Sequence, residues 1–485
     1  MIMSTLQRIH CIGIKGIGLS ALAQVLAAEG YTVTGSDTPE HFPADEALKA
    51  AGIKVFTRFD AKHISGDVDR VIVSNAYLPK ESDKRQVTSG KINPEVKAAL
   101  KRGIPVRSYP EALGEIFNRY RGIAVAGSHG KSTTAALLAV TLEALKADPH
   151  AVIGAVVKNW NANARVSAGI QHAASWPSRL NPSRLFVIEA DEYRRAFHHY
   201  APTGAIMTSV DWDHPDVYPT EASYRRSFSA FVRRIRPGGF LLVNGDDAHA
   251  RGAAQSHKRG VRVITYGFNT KSAIRIMRVR HGADGIAVTL RGLGVFRIRL
   301  YGEQNAMNVA AVVGVCRELG YPVEAIRRAL KTFKGTVRRF DILSPPFDFA
   351  QGKQPSPLYP VVIDDYGHHP TEIAATIKAA RGAFPKRRIR VLFQPHTFSR
   401  TAKYFDAFVA ALATADDVAL LRTYGSARET KGGKSAQDLA RALGVRHFAT
   451  HAAALRFYRK NLFAKDLLIV MGAGDGDALA RKLAR

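Results

Sequence analysis

Cysteine is nearly missing from the chain: only Cys11 and Cys316 occur, each inside an apolar segment. So sparse a pair argues against a disulfide framework, and both are read as buried small hydrophobes in a reducing compartment. No apolar run reaches about eighteen residues, so there is no transmembrane helix candidate and no membrane insertion is expected. The stretch Met1 to Arg8 lacks the charged region, apolar run and small-residue cleavage site of a signal peptide. A cytoplasmic location is the expectation. Acidic residues are scarce beside basic ones, 41 against 70, for a formal charge of +29. Such a surplus suits nucleic acid, an anionic membrane surface or polyanionic substrates. The basic residues are nonetheless dispersed in short clusters such as Arg233-Arg234 and Lys386-Arg387-Arg388, with no basic tail or nucleic-acid module. The excess is read as a solvated surface, and no nucleic-acid partner is expected.

What is present is a long chain with ordinary globular composition. Its 485 residues suggest about three domains, and 46% hydrophobic with 23% charged residues fits a soluble fold. Strand-like runs recur ahead of helical patterns: Ile9–Ile14, Tyr31–Gly35, Val71–Val73, Ile123–Ala126, Leu185–Ile188, Ala205–Thr208, Val361–Ile363, Arg390–Phe393 and Leu467–Met471. Alternating β and α elements predict an α/β fold with parallel sheets covered by helices. The Pro-rich stretch from Ser344 to Pro360 reads as a surface loop or insertion.

The strongest motif is Gly127-Ser128-His129-Gly130-Lys131-Ser132-Thr133, between the run Ile123–Ala126 and an Ala/Leu-rich helical stretch. A strand, a glycine loop and a helix N-terminus aim backbone N–H groups at phosphate oxygens. Lys131 then reaches the terminal phosphates and Ser132 helps hold Mg²⁺. Only two residues separate the glycines, so the spacing departs from the usual phosphate loop. A weaker glycine turn, Gly13, Gly16 and Gly18, follows the first strand. Asp37 ends the second, where an acid meets a ribose hydroxyl in dinucleotide folds. Read alone, that turn fits nucleotide binding or a plain tight turn equally. Two acidic segments follow strands, Glu189-Ala190-Asp191-Glu192 and Asp211-Trp212-Asp213-His214. Their position suggests hard oxygen ligands for Mg²⁺, with solvated acidic loops as the alternative.

Taken together, these segments resemble the Mur ligase family. The matching stretches run in order from Ile12 to Glu429: Ile12–Ser20, Ala124–Thr134, Glu189–Phe197, Asp211–Asp216, Tyr301–Val309, Gly335–Phe340, Asp364–Glu372, Phe393–Thr401 and Gly425–Glu429. The resemblance implies three domains: an N-terminal Rossmann-like domain for the UDP part (residues 1–119), a central P-loop-type ATPase (120–334) and a C-terminal Rossmann-like domain for an amino acid (335–485). It implies ATP and Mg²⁺ as cofactors, and UDP-N-acetylmuramic acid and L-alanine as substrates. The activity it implies is ATP-dependent ligation of alanine to the lactyl carboxylate through an acyl phosphate, a step of peptidoglycan precursor synthesis. Carried over by motif, Lys131 and Ser132 serve the phosphates and Mg²⁺, and Glu189 with His214 resembles the metal-site pair. Asn305 and Asn308 resemble the adenine- and ATP-side asparagines, Arg339 a phosphate-meeting arginine, and Asp365 the carboxylate across the cleft. Tyr366, His368, His396 and Arg400 match positions around the incoming alanine, although Tyr366–Pro370 also suits a polar turn capping a helix.

The chemistry agrees with these residue types. A carboxylate is a poor acyl donor until phosphorylated, and phosphoryl transfer relies on positioning and positive charge. Arg400 offers a fork for the alanine carboxylate that lysine lacks. Two expectations follow from sequence: Lys131→Ala abolishes turnover with the fold intact, and Arg400→Lys raises the alanine requirement more than that for ATP. The sequence has Ser128 and Ser132 where threonine is commoner and Gly154-Ala155 where many relatives have paired glycine, and Glu192-Tyr193-Arg194-Arg195 differs from the more acidic run of some members while others carry Tyr-Arg-Arg. A monomer or homodimer fits equally. The nearest rival reading is a recycling ligase of the same family that attaches a whole tripeptide. A nucleic-acid-binding ATPase and a catalytically silent scaffold are more remote.

Overall fold

The structure is a computed structural model describing residues 7–42, 44–78, 92–167, 181–343, 359–425, 429 and 432–485. Most of the Pro-rich stretch, residues 344–358, lies outside the described residues, as do the first six residues. The chain forms two compact units, residues 1–275 with 310–334 and residues 276–309 with 335–485.

The first unit contains two sheets. Strands β1 (Arg8–Ile12), β2 (Thr32–Ser36), β3 (Lys54–Phe56), β4 (Arg70–Val73) and β5 (Val106–Ser108) form a parallel sheet in the order β3-β2-β1-β4-β5. The strand order reverses beside β1, and β1 runs directly into the glycine turn, the usual ligand edge of such a sheet. The second sheet uses β6 (Tyr120–Ala126), β7 (His150–Val157), β8 (Ala162–Arg165), β9 (Asn181–Glu189), β10 (Gly204–Met207), β11 (Phe240–Asn244) and β12 (Arg262–Gly267). Their order is β12-β11-β10-β6-β9-β7-β8, parallel except for β8, and β13 (Ile274–Gly282) begins beside β12. Strand β6 is thus central, flanked by β9 and β10, with Val125 opposite Glu189 and Ala126 opposite Met207. That register brings the phosphate loop and both acidic segments to one edge. Ile123 to Ala126 are all buried, as expected of a parallel strand covered on both faces.

The second unit holds an antiparallel ribbon of the rest of β13 with β14 (Gly285–Leu290) and β15 (Gly294–Ile298). Its larger sheet has β16 (Asp341–Ile342), β17 (Val361–Asp365), β18 (Arg388–Phe393), β19 (Asp417–Leu421), β20 (Arg446–Phe448) and β21 (Asp466–Met471). The order is β16-β17-β21-β18-β19-β20, with only β16 antiparallel. Successive side chains on a strand point to opposite faces. Accordingly Ile363, Val391, Phe393 and Ile469 join one core cluster while Val362, Leu392, Leu468 and Val470 join another.

Cys11 and Cys316 are free and fully buried. Burial alone pushes the Cys11 thiol up to about 12 and raises that of Cys316 as well. Among the described residues, no helix is long and apolar enough to cross a membrane.

Candidate active site

The glycine turn after β1 is held from within. Gly13 has φ +77, and a Cβ there would lie 2.6 Å from the Tyr77 ring. A Cβ on Gly18 would meet Tyr109 at the same distance, so both positions exclude a side chain. Gly16 caps the helix Ile17–Ala28. Asp37 is buried, and its carboxylate accepts the Lys15 N–H at 2.7 Å and the Thr38 N–H at 2.8 Å. Those bonds make Asp37 the clasp of the turn.

The phosphate loop is built on close backbone approach. Gly127 has φ +141, and a Cβ there would fall 2.0 Å from Thr208 Oγ1 on the neighbouring strand end; Gly130 has φ +78. The helix Lys131–Ala144 that follows is rich in strong helix formers and buries every residue from Ser132 to Leu142. Its N-terminus is therefore rigidly aimed. Ser128 accepts the Asp211 N–H at 2.8 Å and meets the Tyr224 hydroxyl at 2.8 Å. His129 Nε2 lies 3.1 Å from Asp211 Oδ2, and Thr133 is nearly buried.

Lys131 is not a loose loop lysine. Its ammonium donates to Gly127 O (2.5 Å) and Ser128 O (3.1 Å), and lies 2.8 Å from Glu192 Oε2. Burial opposes its charge, but Glu192, with Asp191 and Glu189, outweighs that and holds Lys131 above its ordinary pKa. Burial likewise works against the Glu192 carboxylate, yet Lys131 and His214 keep it below its usual value. Asp191 is pushed up to about 6 by burial and then by the Glu192 charge. The expectation that Lys131→Ala leaves the fold untouched overlooks the buried Glu192 carboxylate, which would lose its closest cation while keeping His214 and the Tyr224 hydroxyl beside it. Breaking such a pair costs about 3–5 kcal/mol.

Glu189 is anchored on both oxygens, one accepting Ser132 Oγ at 2.9 Å and the other the Gly154 N–H at 2.7 Å. His214 has φ +55, and its Nε2 lies 3.6 Å from Glu192 Oε1 and 3.7 Å from Asp213. Burial lowers the His214 pKa, and the negative charges of Glu192, Asp213 and Asp191 around it more than reverse this. Glu192 is the central residue that sequence reasoning passed over. It stands in a quoted acidic segment, but its direction depends on the turn Tyr193–His199, where Arg194 and Arg195 take φ +50 and +59. Spacing alone does not reveal that turn.

In the second unit, Asp365 at the end of β17 is buried and accepts the Phe340 N–H (2.7 Å) and the Gly367 N–H (2.8 Å). Burial raises its pKa against the pull of Arg339. The Arg339 guanidinium stands over the Tyr366 ring, 4.8 Å from its centre, and 4.0 Å from Glu372. His368 is edge-on to Tyr366 at 5.4 Å and to His396 at 6.0 Å, and His396 stacks toward Tyr424 at 5.9 Å. Arg400 Nη1 donates to His396 Nδ1 at 3.5 Å. The four residues expected around alanine therefore gather, with Tyr424 as an addition. Asn305 and Asn308 are buried on the helix Glu303–Glu318 in this unit, and Asn308 donates to Asn305 at 2.9 Å.

A fold of strand-end sites with a lysine-bearing phosphate loop defines a nucleotide-using α/β enzyme, and comparison places it further. Residues 8–121 match the model of the Mur ligase family catalytic domain, 125–316 the Mur ligase middle domain, and 352–474 the Mur ligase glutamate ligase domain. The chain belongs to the Mur ligase family, whose members are ATP-dependent ligases. More particularly, it is 35% identical over 478 residues to the UDP-N-acetylmuramate–L-alanine ligase of Desulfitobacterium hafniense, covering 96% of this chain and 97% of the relative. The enzyme of the same name from Frankia casuarinae is 38% identical, covering 87% and 84%. The crystal structure of UDP-N-acetylmuramate–alanine ligase from Thermotoga maritima shares the fold, with TM-score 0.76, 24% identity and 98% of each chain covered.

Proposed function

We propose that the protein ligates L-alanine to the lactyl carboxylate of UDP-N-acetylmuramic acid, consuming ATP and releasing ADP and phosphate. The carrying observation is the phosphate loop itself. Lys131 opens a buried helix beside the end of β9, whose acids Glu189 and Glu192 hold Ser132 and Lys131. The residues fit a bound magnesium ion. Ser132 Oγ and Glu189 Oε1 are 2.9 Å apart, and adjacent corners of an octahedron with Mg–O bonds of 2.0–2.1 Å lie about 3 Å apart. His214, whose Nε2 faces Glu192 and Asp213, would be the third residue of the proposed set. A magnesium ion held there would supply positive charge to the phosphate oxygens.

The remaining roles belong to the chain. The N–H groups from Gly130 to Thr133 at the helix start orient the phosphates, with Ser128 and His129 tied by their own N–H groups to Ser209, and the Lys131 ammonium offsets the charge that builds as the terminal phosphoryl group passes to the lactyl carboxylate. The products of that transfer are ADP and an acyl phosphate. The alanine amine attacks the acyl carbon, the C–O bond to phosphate breaks, and the amine's proton leaves. Arg400 clamps the alanine carboxylate, and Tyr366, His368 and His396 enclose it. Arg339 meets phosphate, and Asp365 fixes the Phe340 backbone beside it. Asn305 and Asn308 serve the adenine side, and Gly13, Gly16, Gly18 and Asp37 form the UDP-side turn. Residues 1–119, 120–334 and 335–485 are assigned to UDP-sugar, ATP and amino acid respectively, a division supported by the three separate sheets.

An acceptor screen tests this reading. Purified protein with UDP-N-acetylmuramate and MgATP should release phosphate fastest with alanine. Faster release with the L-alanyl tripeptide, or release dependent on nucleic acid, overturns it.

A further inference from the structure

Gly425 to Glu429 matches the family pattern, yet no role above uses Glu429. The neighbouring segment His396 to Arg400 has weak local support. The helix Phe398–Lys403 that carries Arg400 is only six residues long, too short to sustain itself. Thr397 before it has φ +66 and ψ +145 and makes no side-chain cap to the helix. A β-branched residue adopts such a backbone only when its surroundings impose it.

The surroundings are the described residues Tyr424, Glu429 and Gly433, which follow β19 in the chain. The Thr397 N–H donates to Tyr424 O at 3.0 Å, and the Tyr424 N–H donates to Pro395 O at 2.8 Å. Further along, Glu429 accepts the Ser399 N–H on one oxygen at 2.6 Å and the Ser399 hydroxyl on the other at 2.8 Å. Beyond that, a Cβ on Gly433 would fall 2.5 Å from Phe398 O, so the backbone again touches the start of the helix. Tyr424, Glu429 and Gly433 thus grip Thr397 to Ser399 from one side. A carboxylate that accepts one first-turn N–H and the hydroxyl of the same residue makes charge-assisted bonds at the helix start.

We propose that Glu429 is a positioning residue of the amino-acid site, whose grip on Ser399 sets the direction of the Arg400 guanidinium and so the affinity for alanine. The proposal rests on the reading of Arg400 as the alanine clamp. Steady-state kinetics of full-length E429A, E429Q, S399A and R400K, varying alanine, ATP and UDP-N-acetylmuramate in turn, separates the two. E429A should raise the alanine KM about tenfold with the ATP KM within about twofold. E429Q retains one acceptor oxygen and should restore part of the loss, and S399A, which removes one of the two bonds, should lose less. R400K/E429A should be little worse than R400K, as expected for residues acting in one chain of contacts. An unchanged alanine KM in E429A beside a raised one in R400K removes the proposal, as does a uniform fall in kcat with every KM displaced. An unchanged alanine KM in R400K removes the clamp reading beneath it. Should E429A fail to fold, E429Q and S399A carry the same comparison.

Discussion

The phosphate loop and the cluster of Tyr366, His368, His396 and Arg400, each proposed above to hold a charged ligand group, are built in opposite ways. The first is one contiguous stretch, Gly127 to Thr133, set on a helix buried from Ser132 to Leu142, with its lysine bound by two carbonyls and a carboxylate. The second is assembled from three separate strand ends. Its rings stand 5.4 to 6.0 Å apart, and its arginine rides a six-residue helix behind a strained threonine. The contrast teaches that a fixed reagent common to a family can be held by local sequence and burial. A variable substrate is met by loops that a few distant contacts keep in place.

The largest effect expected is at the contiguous site. Lys131→Ala should lower kcat about 10³-fold and also depress the melting temperature. Lys131→Ala combined with Glu192→Gln should recover stability without recovering turnover. A Lys131→Ala protein that melts like the parent would mean that the two charges are not a buried pair. Next, Gly154→Ala places a methyl 2.4 Å from Glu189 Oε2 and must displace that carboxylate. Turnover should fall up to about 10²-fold, with a raised magnesium requirement visible in metal titrations. A normal magnesium dependence would show that Glu189 tolerates the shift. Arg400→Lys should act selectively, raising the alanine KM about tenfold while ATP kinetics stay put. Equal changes in both would erase the division between the sites.

The smallest effect is a slope in stability against pH. Asp364 is buried at the end of β17, and burial pushes its pKa to about 7 from an ordinary 3.8, more than nearby Arg338 pulls it down. The native state therefore keeps a proton that the unfolded chain has released between those values. The stability it contributes is greatest at low pH and falls as pH rises from about 4 to 7. Asp364→Asn should flatten that part of the curve in denaturant titrations, and an identical slope in both proteins would show that Asp364 is not the group responsible.

The α/β architecture was legible because the strands covered on both faces read as short apolar runs: Ile123–Ala126 and Leu467–Met471 are buried throughout. The phosphate-loop motif was legible because its glycines, lysine and hydroxyls sit in one window. Ser132 and Glu189 come together because β6 and β9 are neighbours, a pairing that order along the chain suggests but does not prove. Glu192, Tyr424 and Glu429 were quoted or passed over without roles. Their directions come from left-handed residues at Arg194, Arg195 and Thr397 and from contacts across 30 residues, as between Ser399 and Glu429. Such backbone turns leave no periodic pattern to read. Asp37 was placed correctly at a strand end, but its bonds to Lys15 and Thr38 depend on how the turn closes.

The burial of both native cysteines has a practical use. With Cys11 and Cys316 at 0% exposure and Cys11 needing a pH near 12 to ionise, maleimides should find little to attack in the folded parent, because thiolates are the reactive species. A single surface residue exchanged for cysteine would then take up nearly all of a fluorophore or spin label. Local motion around each ligand-holding segment could be followed by spectroscopy without first stripping the native thiols.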